Sequence, residues 1–262
     1  MPPDIATIAD IALINLPERT DRLDHALSEL ARCAGRLLEP GRDLRLIRPQ
    51  RFDDAGGFLN PGYRSCLMAH LEAAESAGTE TDRLLLVLED DVTFEPRWPE
   101  LQHRALAHLA EQPWHLANIG YEGPPVEEPD GNGMRWARFR GEVIGAQAYL
   151  VHPGFLPTWI AHLRAIATGS PGDDLRGPMG PDGALNTITW CDPSVVRMMA
   201  VPSMAGQRSF RSDITPSRYD RIPLARPALQ ALRSARYQLQ QRQRRRPGPV
   251  VPADQLTTVD PS

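Results

Sequence analysis

The sequence contains no lysine, and all 29 of its basic residues are arginines. Every cationic contact must therefore be made by a guanidinium group, whose planar fork favours two-pronged recognition of phosphate or carboxylate. We interpret the absence of lysine as coding bias rather than as a functional adaptation. The absence of lysine still has a chemical consequence, because arginine must supply the cationic contacts to any anionic ligand.

Cysteine is also scarce. Cys33, Cys66 and Cys191 are odd in number, far apart in the sequence and outside any C-x-x-C pairing. This pattern indicates reduced thiols in a cytosolic protein rather than a disulfide framework or a zinc site.

Long apolar runs are missing as well, since no stretch approaches the roughly 18 residues needed to cross a bilayer. The first ten residues lack a basic segment followed by an apolar core, so we expect no secretory signal and a cytoplasmic location. With 262 residues, 41% hydrophobic and 24% charged, the composition is typical of a globular protein. This length suits one large α/β domain with tails.

The net charge of −4 is unevenly distributed. Seven arginines and two aspartates follow Pro223, which gives this tail a charge of +5 and the preceding body −9. Residues 224–246 form a basic segment able to become a helix, and residues 247–262 are expected to be disordered. The basic segment suits peripheral contact with an anionic membrane at its inner face, although its thin apolar side favours a solvated helix. Nucleic-acid binding is disfavoured by the acidic body.

The most informative segment is an apolar run that ends in three acids. Leu84 to Leu88 predict a fully buried strand, and Glu89, Asp90 and Asp91 follow it directly. In an open α/β sheet, ligands bind outside the carboxyl ends of the strands. Carboxylates packed there repel one another, and a hard divalent cation that also holds substrate phosphates relieves the repulsion. The alternative is that these acids are solvated loop residues or helix N-caps.

Strands and helices alternate along the rest of the chain, which predicts a sheet covered by helices on both faces. We expect one domain over residues 10–223, preceded by an extension at 1–9. Residues 136–139 and 143–146 are expected to form a hairpin, with a further strand at 148–151. The remaining predicted strands are 11–16, 44–47, 84–88, 115–119 and 195–201, and the predicted helices are 18–33, 63–77, 98–111, 155–167 and 182–190.

Six short motifs, in order between residues 10 and 215, resemble glycosyltransferase family 25, the lipooligosaccharide and collagen galactosyltransferases. Two departures are Ser65, where the family usually has glycine, and Ala69, where it usually has serine. The motifs are Ile14-Asn15-Leu16 with Arg19, Asp21 and Arg22; Gly62 to His70; Leu86 to Val92; Gly145 to Val151; Asp182; and Pro202-Ser203 with Gln207 and Ser212-Asp213-Ile214.

The resemblance implies a GT-A-like, Rossmann-type mixed sheet flanked by helices, a UDP-sugar donor, and Mn²⁺ or Mg²⁺ to neutralise the departing diphosphate. Alternate residues of an extended strand point to the same side, so we expect Glu89 and Asp91 to hold the metal. Asp90 is expected to reach the ribose or sugar of the donor. The alternative for Asp90 is that it caps a turn or orders the loop.

Asn15, Arg19 and Arg22 follow the first predicted strand, where the nucleotide would enter, and arginine can hold phosphate by two parallel hydrogen bonds. The alternative is that both arginines are solvated on the first helix and pair with Glu18 or Asp21. The motif match also assigns substrate contact to His70 and Gln207, against the alternative that His70 is a hydrogen-bonded core residue. Cys66 is expected to contribute packing.

The family is regarded as inverting, so a base must deprotonate the acceptor hydroxyl as it attacks the anomeric carbon. Asp182 is the leading candidate, with a helix N-cap as its alternative role, and Asp213 is the second choice. The predicted activity is transfer of galactose or glucose to a glycan or glycolipid hydroxyl. The alternatives are a catalytically inactive sugar-nucleotide-binding or adhesion-type module on the same fold, and a metal-dependent phosphoryl-transfer enzyme.

Overall fold

A computed structural model of the chain describes residues 8–33, 43–78, 83–123 and 133–208. In this part the chain alternates between strands and helices in the manner of an α/β domain. The strands are β1 (Ile8–Ile14), β2 (Asp43–Ile47), β3 (Leu84–Glu89), β4 (Val92–Phe94), β5 (Leu116–Glu122), β6 (Arg135–Arg138), β7 (Ile144–Val151), β8 (Arg197–Val201) and β9 (Ala205–Gln207). The helices are α1 (Thr20–Cys33), α2 (Pro61–Ser76), α3 (Trp98–Ala110), α4 (Leu156–Ala167) and α5 (Pro181–Cys191), with a 3₁₀ turn at Pro153–Phe155.

The strands form a mixed sheet in the order β2-β1-β3-β7-β5-β8-β6. Strands β2, β1 and β3 are parallel to one another, and β7 lies antiparallel between β3 and β5. Strand β8 is parallel to β5, and β6 is antiparallel to β8. The short strand β9 pairs with both β4 and β5 at one end of the sheet.

Both faces of the sheet are covered. Helices α1 and α3 pack on one face, and α2, α4 and α5 pack on the other. Strand β3 is buried on both sides, with Leu86 and Leu88 in the first core and Leu85 and Val87 in the second. This is why its sequence is a continuous apolar run rather than an alternating one.

The order of the first three strands creates a crevice. Helix α1 connects β1 to β2 across one face, whereas α2 connects β2 to β3 across the other, and β3 returns to the far side of β1. The chain therefore reverses its direction of growth at β1. Ligands of open α/β sheets bind at such a switch point, between the carboxyl ends of the two strands that flank it.

The predicted fold class, an α/β mixed sheet flanked by helices, is confirmed. The expected hairpin of residues 136–139 and 143–146 is wrong, because β6 pairs with β8. Trp136 lies buried toward α3 and donates from Nε1 to the Ala105 carbonyl at 2.7 Å. Residues 143–146 and 148–151 belong to the single strand β7, in which Gly145 has a φ of +93° and the register to β5 shifts. In the sequence, this irregular strand has the pattern of two short strands.

Several predictions lie outside the described residues: residues 1–7 of the N-terminal extension, most of the loop at 123–133, Asp213, and the tail segments 224–246 and 247–262. The predicted membrane contact of the tail falls there too. Of the helices that are described, none combines the length and the apolar character of a membrane span.

Candidate active site

Asn15 and Asp90 meet at the crevice between β1 and β3. Asn15 directly follows β1, is buried, and donates from Nδ2 to Asp90 Oδ2 at 2.8 Å and to the Arg19 carbonyl at 3.0 Å. Its Oδ1 accepts a hydrogen bond of 2.6 Å from Arg48 Nη1. Sequence reasoning missed Arg48, although it directly follows β2 and so lies at the same edge of the sheet as Asn15.

Arg22 joins this group from the first turns of α1. Its Nη1 donates to Asp90 Oδ1 at 3.1 Å and lies 3.7 Å from Asp91 Oδ2. Arg19 lies close by, with its Nε 3.4 Å from Asp21 Oδ1. The structure thus brings Asn15 and Arg22 together with the acids, and it pairs Arg19, which directly precedes α1, with Asp21 in the first turn of that helix.

The acidic triplet does not continue as an extended strand, so the extended backbone expected from Glu89 to Asp91 is wrong, although the charge of Glu89 still acts on Asp91. Strand β3 ends at Glu89, and Asp90 and Asp91 form a turn before β4. The physical reason is the pair of hydrogen bonds that Asn15 and Arg22 make to Asp90, which hold its carboxylate toward α1. Glu89 instead contacts His70 of α2 on the opposite face.

Glu89 is held by two long polar contacts. Its Oε1 lies 3.3 Å from His70 Nε2, and its Oε2 accepts a hydrogen bond of 3.3 Å from Gln207 Nε2. His70 is fully buried, contacts the Tyr149 hydroxyl through Nδ1 at 2.9 Å, and stacks on the Tyr149 ring. The two residues assigned to substrate contact, His70 and Gln207, therefore both touch Glu89.

The two aspartates differ in their electrostatic surroundings. Burial raises the pKa of Asp90, while Arg22 and Asn15 act in the opposite direction. Burial, followed by the charge of Glu89, raises the pKa of Asp91 well above its ordinary value. Asp91 Oδ1 is buried and has no hydrogen-bond partner among the residues that the structure describes.

This donor set fits a hard divalent cation. Asp91 offers a carboxylate oxygen with no described hydrogen bond, and Glu89 offers oxygens held only at 3.3 Å. Mg²⁺ and Mn²⁺ prefer such oxygen ligands and compensate the charge that gathers when carboxylates lie close together.

Cys66 lies one turn before His70 on α2 and faces the same acids. Burial raises the pKa of its thiol well above the ordinary value, and Glu89, Asp182, Asp91 and Asp90 raise it further, in that order. All three acids of the triplet and Asp182 therefore disfavour the charged form of this thiol. One ligand atom each from Cys66, His70 and Glu89 lie within 4.8 Å of one another.

Asp182, the first candidate base, lies in the first turn of α5. The N-cap of this helix is Gly180, so the alternative role of Asp182 as the N-cap is wrong. Its Oδ1 accepts a hydrogen bond of 2.9 Å from the Gly183 backbone N–H. The charge of Asp182 contributes to the raised pKa of the Cys66 thiol, whereas Asp213 lies beyond the described residues.

An open cavity of about 340 Å³ adjoins the start of α5. It lies between this helix and the loop before it, and Met179 and Gly183 line it on either side of Asp182 in the sequence. Glu142, Asn186 and Trp190 complete a polar and aromatic wall. A sugar with several hydroxyl groups can both hydrogen-bond and stack in such a cavity.

No protein-family model matches the chain, and no curated protein is significantly similar to it. Similar solved structures include a glycosyltransferase involved in glycosylation of the major capsid of PBCV-1, with 11% identity, a TM-score of 0.46, and coverage of 77% of this chain and 94% of that one. Another is mouse xyloside xylosyltransferase 1 in its apo form, with 12% identity, a TM-score of 0.37, and coverage of 71% and 83%. Likenesses this distant carry no information about substrate.

Proposed function

We propose that this chain is a metal-dependent, inverting glycosyltransferase that moves galactose or glucose from a UDP-sugar to a hydroxyl of a glycan or glycolipid. The observation that carries the proposal is the cluster at the switch point, where Asn15, Arg22 and Asp90 are hydrogen-bonded beside Asp91. This is the position at which α/β sheets bind nucleotides. The six motifs that resemble glycosyltransferase family 25 support a nucleotide that carries a sugar.

Glu89 and Asp91 are the residues that would hold the divalent cation. A bound Mn²⁺ or Mg²⁺ would supply stabilisation of the negative charge that develops on the departing diphosphate. Support comes from Asp91 Oδ1, which is buried and lacks a hydrogen-bond partner in the described part of the chain. A lone buried carboxylate oxygen is costly unless something binds it.

The donor side of the proposed site is built from Asn15, Arg22 and Asp90, with Arg19 and Arg48 bordering it. Asp90 is held by Asn15 and Arg22 in one orientation, which suits a carboxylate that accepts hydrogen bonds from ribose or sugar hydroxyls. The guanidinium groups supply the positive charge that a nucleoside diphosphate requires. Preorganisation of this kind lowers the entropy lost on binding.

We assign the acceptor to the cavity beside α5, which Met179 and Gly183 line. The base assigned to the reaction is Asp182, which lies between these two residues in the sequence. Asp182 takes the proton from the acceptor hydroxyl as the hydroxyl oxygen attacks the anomeric carbon, and the bond from that carbon to the diphosphate oxygen breaks. The products are UDP and a glycoside of inverted configuration. His70 and Gln207 hold the Glu89 carboxylate in place during this displacement.

The decisive experiment measures UDP-sugar hydrolysis and transfer with and without Mn²⁺. Asp91→Asn keeps the shape of the side chain and removes its charge, so we expect metal-stimulated turnover to fall by about 10²- to 10³-fold. Asp24→Asn, the same change at an exposed position of α1, is the matched control and should retain the rate of the unaltered chain. Full activity in Asp91→Asn would show that the metal assignment is wrong.

The competing functions give different results in the same assays. UDP binding without turnover of any donor would indicate a non-catalytic sugar-nucleotide-binding module. Release of inorganic phosphate from a simple phosphoester would indicate phosphoryl transfer instead.

A further inference from the structure

We propose that Cys66, His70 and Glu89 form a second cation site, which takes a borderline transition metal such as Zn²⁺ and leaves one coordination position open. The site lies on the α2 side of the sheet. It shares Glu89 with the proposed Glu89–Asp91 pair, but its other two ligands are the Cys66 thiol and the His70 imidazole. Its thiol and imidazole ligands select Zn²⁺, Co²⁺ or Cu ions over Mg²⁺.

The ligand atoms are already near their coordination positions. Cys66 and His70 are four residues apart on α2 and therefore lie on one face of the helix. His70 Nε2 and Glu89 Oε1 are 3.3 Å apart. Two atoms bound to Zn²⁺ at about 2.0 Å in tetrahedral geometry are separated by about 3.3 Å, so this pair needs little rearrangement.

The thiol completes the set from within 4.8 Å of both other ligand atoms. A sulfur bound at about 2.3 Å would lie about 3.5 Å from each of them, so a shift of at most about 1.3 Å suffices. Cys66 and Glu89 are both partly exposed, which leaves a path for the ion and for a fourth ligand. Three protein ligands with an open position are the arrangement of catalytic rather than structural zinc.

The outer contacts of these ligands match those of known metal sites. A metal-bound histidine normally hydrogen-bonds through its other ring nitrogen, which fixes the tautomer. Here His70 Nδ1 lies 2.9 Å from the Tyr149 hydroxyl, and burial raises the pKa of that hydroxyl. Gln207 Nε2 in turn donates to the second oxygen of Glu89. Nε2 of His70 is thereby left facing Glu89.

The cysteine pattern predicted no zinc site, because that inference considered cysteine pairs. The structure joins one thiol to a histidine and a carboxylate that lies 19 residues beyond His70. These three residues come together because α2 packs against the end of β3, which their spacing in the sequence does not predict.

The test is titration of the purified, chelator-treated full chain with Co²⁺, whose thiolate complexes absorb in the near ultraviolet. We expect one Co²⁺ per chain with a thiolate-to-cobalt band, which Zn²⁺ displaces and Mg²⁺ does not. Cys66→Ser should abolish the band, and His70→Gln should weaken Co²⁺ binding by about tenfold or more. Cys191→Ser and Cys33→Ser are the matched controls and should keep the band. No Co²⁺ binding, or a band that persists in Cys66→Ser, overturns the proposal.

If Cys66→Ser does not fold, alkylation of the unaltered chain gives the answer. Zn²⁺ should slow alkylation of Cys66 by about tenfold or more, as read by peptide mass spectrometry, while Cys191 reacts at an unchanged rate. Equal rates for Cys66 with and without Zn²⁺ refute the site. UDP-sugar hydrolysis with Mn²⁺, measured on the same preparation, separates this failure from a failure of the proposed transferase function.

Discussion

At the scale of single residues, two buried asparagines show how differently the same amide can be used. The amide of Asn15 bonds to Asp90, to Arg48 and to the Arg19 carbonyl. Asn118 of β5 is equally buried, yet neither amide atom has a hydrogen-bond partner among the described residues. Since an unpaired buried polar group costs free energy, the two side chains should contribute to stability with opposite sign.

Replacing each asparagine with leucine tests this difference. Asn15→Leu leaves Asp90 and Arg48 without their shared partner, so we expect the free energy of unfolding to fall by about 2–3 kcal/mol. Asn118→Leu removes an amide that has no described partner and should be neutral or stabilising. Urea denaturation of both variants supplies the measurement. Equal destabilisation by the two substitutions would contradict the hydrogen-bond network drawn around Asn15.

At the scale of helices and strands, local pattern predicts much and distant contacts decide the rest. The apolar run of β3 and the helical periodicity of α2 are properties of neighbouring residues, so the sequence predicted both elements. The turn at Asp90 was not predictable in this way. It depends on Asn15 and Arg22, which lie 75 and 68 residues away along the chain. For the same reason the spacing within the acidic triplet could not tell which carboxylate faces which side.

The contact between α4 and α5 contains a buried histidine with consequences for stability. His162 of α4 donates from Nε2 to the Ala184 carbonyl of α5 at 3.1 Å, and Thr187 Oγ1 lies 3.3 Å from the same nitrogen. Burial lowers the pKa of His162 to about 4. The unfolded chain binds this proton near pH 6.5, so between the two values it holds more protons than the folded chain.

The stability contributed by neutral His162 is therefore full above about pH 6.5 and is lost as the pH falls toward 4. Between pH 7 and pH 5, protonation of this single group should lower the free energy of unfolding by about 2 kcal/mol. His162→Gln keeps a donor for the Ala184 carbonyl and removes the titration, so its stability should change less over that interval. Thermal melts at the two pH values give the comparison, with the exposed His103→Gln as control. An identical pH dependence in His162→Gln and the unaltered chain would refute this assignment.

At the scale of the whole molecule, the site is assembled by elements from both ends of the described chain. Parallel pairing of β1 and β3 brings Asn15 to Asp90, and this much follows from the predicted α/β class. Strand β9, the last one within the described residues, then returns to close the site. Gln207 reaches Glu89, and the Arg208 backbone N–H donates to the Asp91 carbonyl at 2.7 Å. The motif match assigned Gln207 to substrate contact, but no local pattern in the sequence predicts its contact with Glu89.

The closure depends on a glycine at the β5–β9 contact. A Cβ at Gly120 would lie 2.8 Å from the Ala205 Cβ and 2.9 Å from the Ala205 carbonyl oxygen, so Gly120→Ala must push β9 outward. We expect it to lower the free energy of unfolding by about 1–3 kcal/mol. Displacement of Gln207 from Glu89 should also reduce metal-stimulated UDP-sugar hydrolysis by about tenfold to a hundredfold. Gly133→Ala, where a Cβ meets nothing within 4 Å, is the control for both measurements. If Gly120→Ala loses stability but keeps its turnover in the folded fraction, β9 supports the fold without positioning the acids.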